Sequence, residues 1–366
     1  MLPGREGDCF WVEYGNEDDL NYIMIDGGRQ LAYDYLKPRI IKLNDKNHPI
    51  ELALLTHVDA DHIEGILKLV EEEEFEFNFK DFWFNGYHHL DEESFKKLDV
   101  DSDEEDFGAV QGERLSKALI DKKWPWNEKF NRGPVVINDE DSLPVTTLEG
   151  GMKITLLSPD WKMLNKMKKK WKKEVEKAGM VPGVEIPEEE PITDDEESFG
   201  ALTIEEVKDL ASLDFKKDTS AANGSSIAFI AEYENKRVLF AGDAHADILS
   251  ANLKKLLDQQ EEKVQLDAFK VSHHGSRKTL NNEVLKCVDC ENYLISSNGS
   301  RHGHPDTEAI ARILMHGGER KNLYFNYSTK YTDIWDSKRL KRKFKYDTIF
   351  PDQDENGILT FSLISG

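Results

Sequence analysis

Four side chains able to bind a metal ion fall within six residues: His57, Asp59, Asp61 and His62, in the run THVDADH. Imidazole nitrogens beside carboxylate oxygens suit Zn²⁺, and a larger oxygen share also suits Mn²⁺. In an extended loop, residues 57 and 59 project to one side, while 61 and 62 open a turn and face a second position. Asp61 also has a purely structural reading, because an acid at a helix start is favourable on electrostatic grounds alone.

Three more loops carry the same chemistry. Ala241-Gly242-Asp243 offers a carboxylate whose two oxygens can each bind a different ion. Ser272-His273-His274-Gly275-Ser276 sets two adjacent imidazoles in a glycine-containing loop, where one can bind metal while the other orients a neighbour or contacts substrate. His302-Gly303-His304-Pro305 adds two further imidazoles; the plain alternative there is a surface loop.

The elements that must position these loops can be read from hydrophobic periodicity. ELALL (51–55) is a short apolar run that reads as a buried strand. Ile63, Ile66, Leu67 and Val70 recur on one helical face, so the first cluster sits on a strand-to-helix loop. Strands are expected at 8–14, 22–25, 82–84, 154–158, 268–272 and 293–297, and a hairpin in which IAFIAEY and RVLFAG flank the turn at 234–236. A helix is expected over TEAIARILMHGG, stopped by Gly317 and Gly318, and a last strand over GILTFSLI (357–364). All four chemical loops therefore follow strands in an α/β chain.

The chain has 366 residues, enough to bury a core without staples. Its 48 Lys and Arg against 71 Asp and Glu give a net charge of −23. A broad basic surface for duplex DNA is not expected, although a local basic groove is compatible with that total. Cys9, Cys287 and Cys290 include a single C-x-x-C, without the second pair a zinc ribbon needs, and read as ordinary thiols in a reducing compartment. No apolar run approaches the ~20 residues that span a bilayer, and no signal-peptide pattern is present. The expectation is a cytoplasmic protein with no membrane partner.

Residues 162–177 hold eight Lys and two Glu, and 178–207 hold ten acidic residues and no basic one. The segment 161–219 reads as a charged insertion within a single domain spanning 1–366, with 178–207 outside the packed core. The Lys-rich helix has two readings: a contact for nucleic acid, or a solvated face held by the acidic run beside it.

The order H-x-D-x-D-H at 57–62, G-D at 242–243 and H at 273 resembles the metallo-β-lactamase superfamily. G-D-C at 7–9, I-D-G-G at 25–28, L-L-S-P at 156–159, N-G-S-S at 223–226, H-H-G-S at 273–276 and G-H-P at 303–305 resemble the hydrolase domain of ComEC-type DNA-uptake proteins. This resemblance covers 4–75, 152–160 and 220–316. It implies an αββα sandwich, two facing sheets with helices outside and metals at one edge. It further implies a binuclear Zn²⁺ or Mn²⁺ site. In it His57 and Asp59 hold one ion, Asp61, His62 and His273 hold the other, and Asp243 bridges. A bridging hydroxide would attack phosphorus, with Asp61, His274 and His304 as catalytic residues, the last two binding phosphate or protonating the leaving oxygen. The superfamily's usual third histidine of the first site has no evident counterpart; His88, His89 and His304 are the candidates. The accompanying membrane channel domain also has no counterpart in these residues. The implied activity is a phosphodiesterase or nuclease with DNA as substrate. Alternatives are hydrolysis of a small phosphodiester, thioester or lactone, or an interaction module with a vestigial site.

Overall fold

The computed structural model describes residues 1–16, 18–72, 75–90, 108–138, 142–177, 201–257, 262–352 and 357–363. Strand β1 (Phe10–Asn16) pairs antiparallel with β2 (Asp19–Ile25), and β2 continues in parallel with β3 (Leu52–Leu54) and then β4 (Phe82–Trp83). Side chains alternate across this small sheet as strand geometry requires. Ile23 and Ile25 enter one apolar cluster, and Met24 between them enters another.

The large sheet contains β5 (Val145–Thr147), β6 (Lys153–Ser158), β7 (Ala228–Tyr233), β8 (Lys236–Phe240), β10 (Ala268–Lys270), β12 (Asn292–Ile295), β13 (Lys321–Phe325) and β14 (Tyr346–Ile349). Its order is β14-β13-β12-β10-β8-β7-β6-β5, parallel from β14 to β8 and antiparallel from β8 to β5. A separate parallel pair joins β9 (Val264–Leu266) to β11 (Val288–Cys290).

The two sheets face one another. Phe10, Ile25 and Leu54 of the small sheet share a cluster with Leu156, Phe229 and Phe240 of the large one, and Phe10 meets Phe240 edge-on at 5.7 Å. The outer face of the small sheet is covered by α1 (Tyr33–Asn44), α2 (Ala60–Val70), α3 (Gly108–Asp121) and α4 (Trp161–Lys177). The outer face of the large sheet is covered by α5 (Ile204–Ser212), α7 (Ala246–Lys255), α8 (Asn282–Cys287), α9 (Thr307–His316) and α11 (Lys338–Phe344). The short helices α6 (Ala221–Gly224) and α10 (Lys330–Asp333) fill connections. The result is a mixed α/β chain layered helix, sheet, sheet, helix.

Several expectations need correction. The segment 357–363 is irregular rather than a strand; it exchanges two backbone hydrogen bonds with Met1 through Leu359, at 2.8 and 3.0 Å. The large sheet instead closes on β13 and β14. Of the stretch 178–207 expected to lie outside the core, residues 178–200 fall outside the described residues, and 201–207 return to the packed structure. Thr203 and Glu206 form a capping box that starts α5, and Val207 is fully buried. At the other end of the charged segment, Leu164, Met167, Trp171 and Val175 of α4 are buried against the small sheet's helices. The acidic stretch at 91–106 lies outside the described residues. Among the described residues, no helix is long and apolar enough to cross a membrane.

Candidate metal centre

β3 ends at Leu54 and the chain runs extended to Asp59, the N-cap of α2. His57 thus lies on the connecting loop, and Asp61 and His62 in the first helical turn. The loop after β2 is drawn against α2. A Cβ on Gly27 would stand 2.5 Å from the backbone nitrogen of Ile66, and one on Gly65 would stand 2.1 Å from the Gly27 oxygen. Both positions therefore require glycine. This approach brings Asp26 under the site. Asp26 accepts hydrogen bonds from the Thr56 backbone N–H at 2.7 Å and the Thr56 hydroxyl at 2.8 Å, and lies 2.8 Å from His62 Nδ1.

Asp243 follows β8 and is the hub. Its Oδ2 lies 3.4 Å from His62 Nε2, 3.6 Å from His274 Nε2, 3.7 Å from His273 Nε2 and 3.8 Å from His57 Nε2. His57 Nε2 is also 3.4 Å from Asp59, and His274 Nε2 is 3.2 Å from Asp61. All six residues expected to bind metal, together with His274, are therefore gathered at one place. Two fully buried residues stand behind them: Lys270 forms a close ion pair with Asp8, and Asp8 Oδ1 lies 3.2 Å from His274 Nδ1.

Asp8, His62, Asp243 and His274 form a buried cluster able to hold a metal ion, with all four ligand atoms within 4.8 Å of one another. The donor set fits a cation. His57 Nε2, His62 Nε2, His274 Nε2 and Asp243 Oδ1 are buried and make no hydrogen bond among the described residues. Polar atoms left this way cost about 1–3 kcal/mol each, so such a gathering is unfavourable unless a ligand satisfies it.

Electrostatics point the same way. Burial opposes charge on His62, but the Asp243, Asp26 and Asp61 carboxylates outweigh it and hold the imidazole well above its usual range. For His274, burial again opposes charge, and Asp243, Asp8 and Asp61 push it up to about 10. Burial works to raise Asp243, yet the surrounding histidines His273, His274 and His62 hold it well below the carboxylate range. Burial also works to raise Asp61, but His62 and His274 pull it well below that range. The carboxylates stay ionised and attract positive charge, here carried by the imidazoles themselves.

His273 differs. Both it and His274 adopt positive φ, 49° and 54°, which turns the adjacent rings to different partners. His273 Nδ1 lies 3.3 Å from Asn223 Nδ2 and 3.7 Å from Asp218 Oδ2. Burial lowers it to about 4 despite Asp243. Its ring is 5.2 Å from that of His304, whose Nδ1 lies 3.6 Å from Asp306. Of the candidates for a further ligand, His89 sits edge-on against Trp126, and the side chain of His88 lies outside the described residues.

Asp8, Asp26, Asp218 and Lys270 do not stand out individually in the sequence. Asp8 and Asp26 lie inside the G-D-C and I-D-G-G runs, which is a usable signal; Asp218 and Lys270 carry none. All three cysteines are free and buried. No family model and no curated protein matches this chain.

Proposed function

We propose that this chain is a metal-dependent phosphodiesterase of the metallo-β-lactamase fold, acting on DNA with two divalent cations, Zn²⁺ or Mn²⁺. The observation that carries the proposal is the convergence of four imidazole Nε2 atoms on Asp243 Oδ2, all within 3.8 Å. The layer order and the position of the cluster beyond the ends of β3, β8 and β10 support the fold assignment.

His57, Asp59 and His273 would hold one ion; Asp61, His62 and His274 would hold the other; Asp243 would touch both. His274 takes the place expected for His273 because its Nε2, 3.2 Å from Asp61, faces that side of the cluster. His273 then supplies the histidine the first site lacked. When bound, such a pair provides a nucleophile at neutral pH and positive charge against the developing oxyanion.

The chain's own residues prepare these ligands. Asp26 fixes the His62 ring through Nδ1, and the Ser296 carbonyl, 2.9 Å from His274 Nδ1, fixes that ring. Each leaves Nε2 directed at the centre, an outer-shell arrangement common to imidazole ligands. His304, beside His273, is our candidate for binding a phosphate oxygen or protonating the leaving oxygen.

The test is elemental analysis of protein purified without chelator, with turnover of bis(para-nitrophenyl) phosphate and a DNA oligonucleotide. About two transition-metal ions per chain and metal-dependent cleavage of both are expected. Absence of metal after reconstitution overturns the reading. Cleavage of the small ester alone reduces it to a small-molecule phosphodiesterase.

A further inference from the structure

A chain with a net charge of −23 repels a polyanion, so a strand can reach this centre only past a local surface of opposite sign. α4 is such a surface. It carries eight Lys against two Glu. Its buried residues Leu164, Met167, Trp171 and Val175 lie on one face. Lys162, Lys166, Lys169 and Lys173, at i, i+4, i+7 and i+11, form a stripe on the opposite face. Lys170 and Lys172 are tied up by Glu174 and Glu176 at 3.6 and 3.8 Å. Lys162, Lys169 and Lys173 are exposed and have no carboxylate partner among the described residues.

The helix runs past the metal centre. At its N-terminal end, the Met163 sulfur and the His245 ring both close on Gly224, the last residue of α6, which also carries the Asn223 partner of His273. Lys166 Nζ donates to the Thr219 carbonyl at 3.0 Å, next to Asp218. Further along, the Trp171 ring and the Val58 side chain both press on Gly112, and Val58 lies between His57 and Asp59. From Met163 to Trp171 the axis advances roughly 12 Å at about 1.5 Å per residue. α4 therefore runs along the centre from its His273 side to its His57 side, with the lysine stripe on its outward, solvent-facing side.

We infer that the outer shoulder of α4, through Lys162, Lys169 and Lys173, holds the phosphate backbone of a nucleic-acid strand whose scissile group lies at the metal centre. This rests on the phosphodiesterase reading for the scissile group only; the strand contact itself is independent of turnover. A second basic run exists on α11 and its C-cap, with six Lys and Arg over 338–345. It packs on β14, the edge strand of the large sheet, beyond β13 and β12 from the strand that delivers the His273 loop. It serves as a control of equal charge.

The experiment measures binding of the metal-loaded full chain to a fluorescent single-stranded phosphorothioate oligonucleotide, which keeps its charge and resists hydrolysis, over a salt series. K162E/K169E/K173E is compared with K338E/R339E/K343E. The α4 variant is expected to bind at least roughly tenfold more weakly at low salt. Its log–log salt slope should be shallower by about 2, since each phosphate neutralised on a single strand accounts for about 0.7 of that slope. The α11 variant should stay within about twofold of the unaltered chain. Equal weakening in both variants means net charge alone acts, and overturns the inference. So does an α4 variant that binds normally, an unaltered chain that binds no oligonucleotide, or one that binds only anionic phospholipid vesicles. Turnover of bis(para-nitrophenyl) phosphate by the unaltered chain separates the two readings. Turnover without strand binding removes the role of α4 alone; strand binding through α4 without turnover removes the phosphodiesterase alone.

Discussion

His274 Nε2 stands 3.2 Å from Asp61 Oδ2, while the preceding His273 turns its Nδ1 to Asn223 at 3.3 Å. Two adjacent histidines thus reach the same Asp243 oxygen from different surroundings, and the proposed two-ion site assigns them to different ions. His274→Ala and Asp61→Ala should each lose about one ion per chain, and the double variant should lose no more than either single one, because both remove the same site. Metal stoichiometry by elemental analysis reads this directly. A double variant that loses both ions would place His274 and Asp61 at different sites.

On the proposed reading, variants of Asp243 and His304 separate metal binding from proton transfer. Asp243→Ala should lose metal and turnover together, since a shared carboxylate offsets the repulsion between two dications. His304→Ala should keep its metal and lose turnover by about 10²–10⁴-fold, the usual contribution of a general acid. If His304→Ala also releases one ion, His304 is a ligand and the role given to His273 is wrong.

The buried pair of Lys270 and Asp8 gives a stability prediction. Both side chains are about 1–2% exposed, so neither charge is screened by water. Lys270→Met leaves buried Asp8 with only His274 as a cationic neighbour and should destabilise the protein by up to about 3–5 kcal/mol, whereas Asp8→Asn/Lys270→Met should recover most of that loss. Denaturant unfolding of the three proteins measures both quantities. A double variant as unstable as the single one would show that packing, not charge, accounts for the effect.

The site was legible where chemistry and strand ends coincide. His57, Asp59, Asp61, His62, Asp243 and His273 are short-range motifs after apolar runs, and the structure gathers them. The division between His273 and His274 was not legible, because it is set by two consecutive positive-φ residues rather than by residue type. Lys270 was hidden for a different reason: it lies inside an apolar strand, and its partner Asp8 is at the other end of the chain. In the fold, strong periodicity marked α2 and the hairpin of β7 and β8. β13 and β14 were missed because their segments (KNLYF, YDTI) mix apolar and polar residues and form no clear apolar run.

Titration of the metal-free protein has a definite sign. His274 rises from 6.5 to about 10 on folding, so the stability it contributes is full below pH 6.5 and is lost as pH climbs towards 10. His62 is shifted in the same direction. His273, lowered to about 4, is neutral in the folded protein over this range, and its small opposing contribution is complete just above pH 6.5. Chelated protein should therefore melt at a lower temperature at about pH 9 than at about pH 6.5. Metal competes with protons for these ligands, so the gain in melting temperature on loading should grow over the same interval. Chelated protein that becomes more stable with rising pH would contradict this account.

α5 joins the core through Val207, directly after its capping box. Replacing residues 178–200 with a Gly/Ser run of equal length leaves α5 and its cap intact. Extending the replacement through 207 removes Thr203, whose hydroxyl accepts from the Glu206 N–H at 3.2 Å, and the Glu206 carboxylate, which accepts from the Thr203 N–H at 2.7 Å. It also removes the fully buried Val207 side chain from the cluster shared with α9. A missing cap costs about 1 kcal/mol. Removal of a buried Val side chain costs about 1.5–3 kcal/mol. The longer replacement should thus be roughly 2–4 kcal/mol less stable than the shorter one, by denaturant unfolding at equal chain length. Equal length matters, because it keeps loop closure the same in both proteins; the partly buried Leu202 and Ile204, also lost in the longer replacement, make the figure from cap and valine a lower bound. Equal stability of the two would mean that the start of α5 contributes nothing to the core, and that the packed structure resumes only after residue 207.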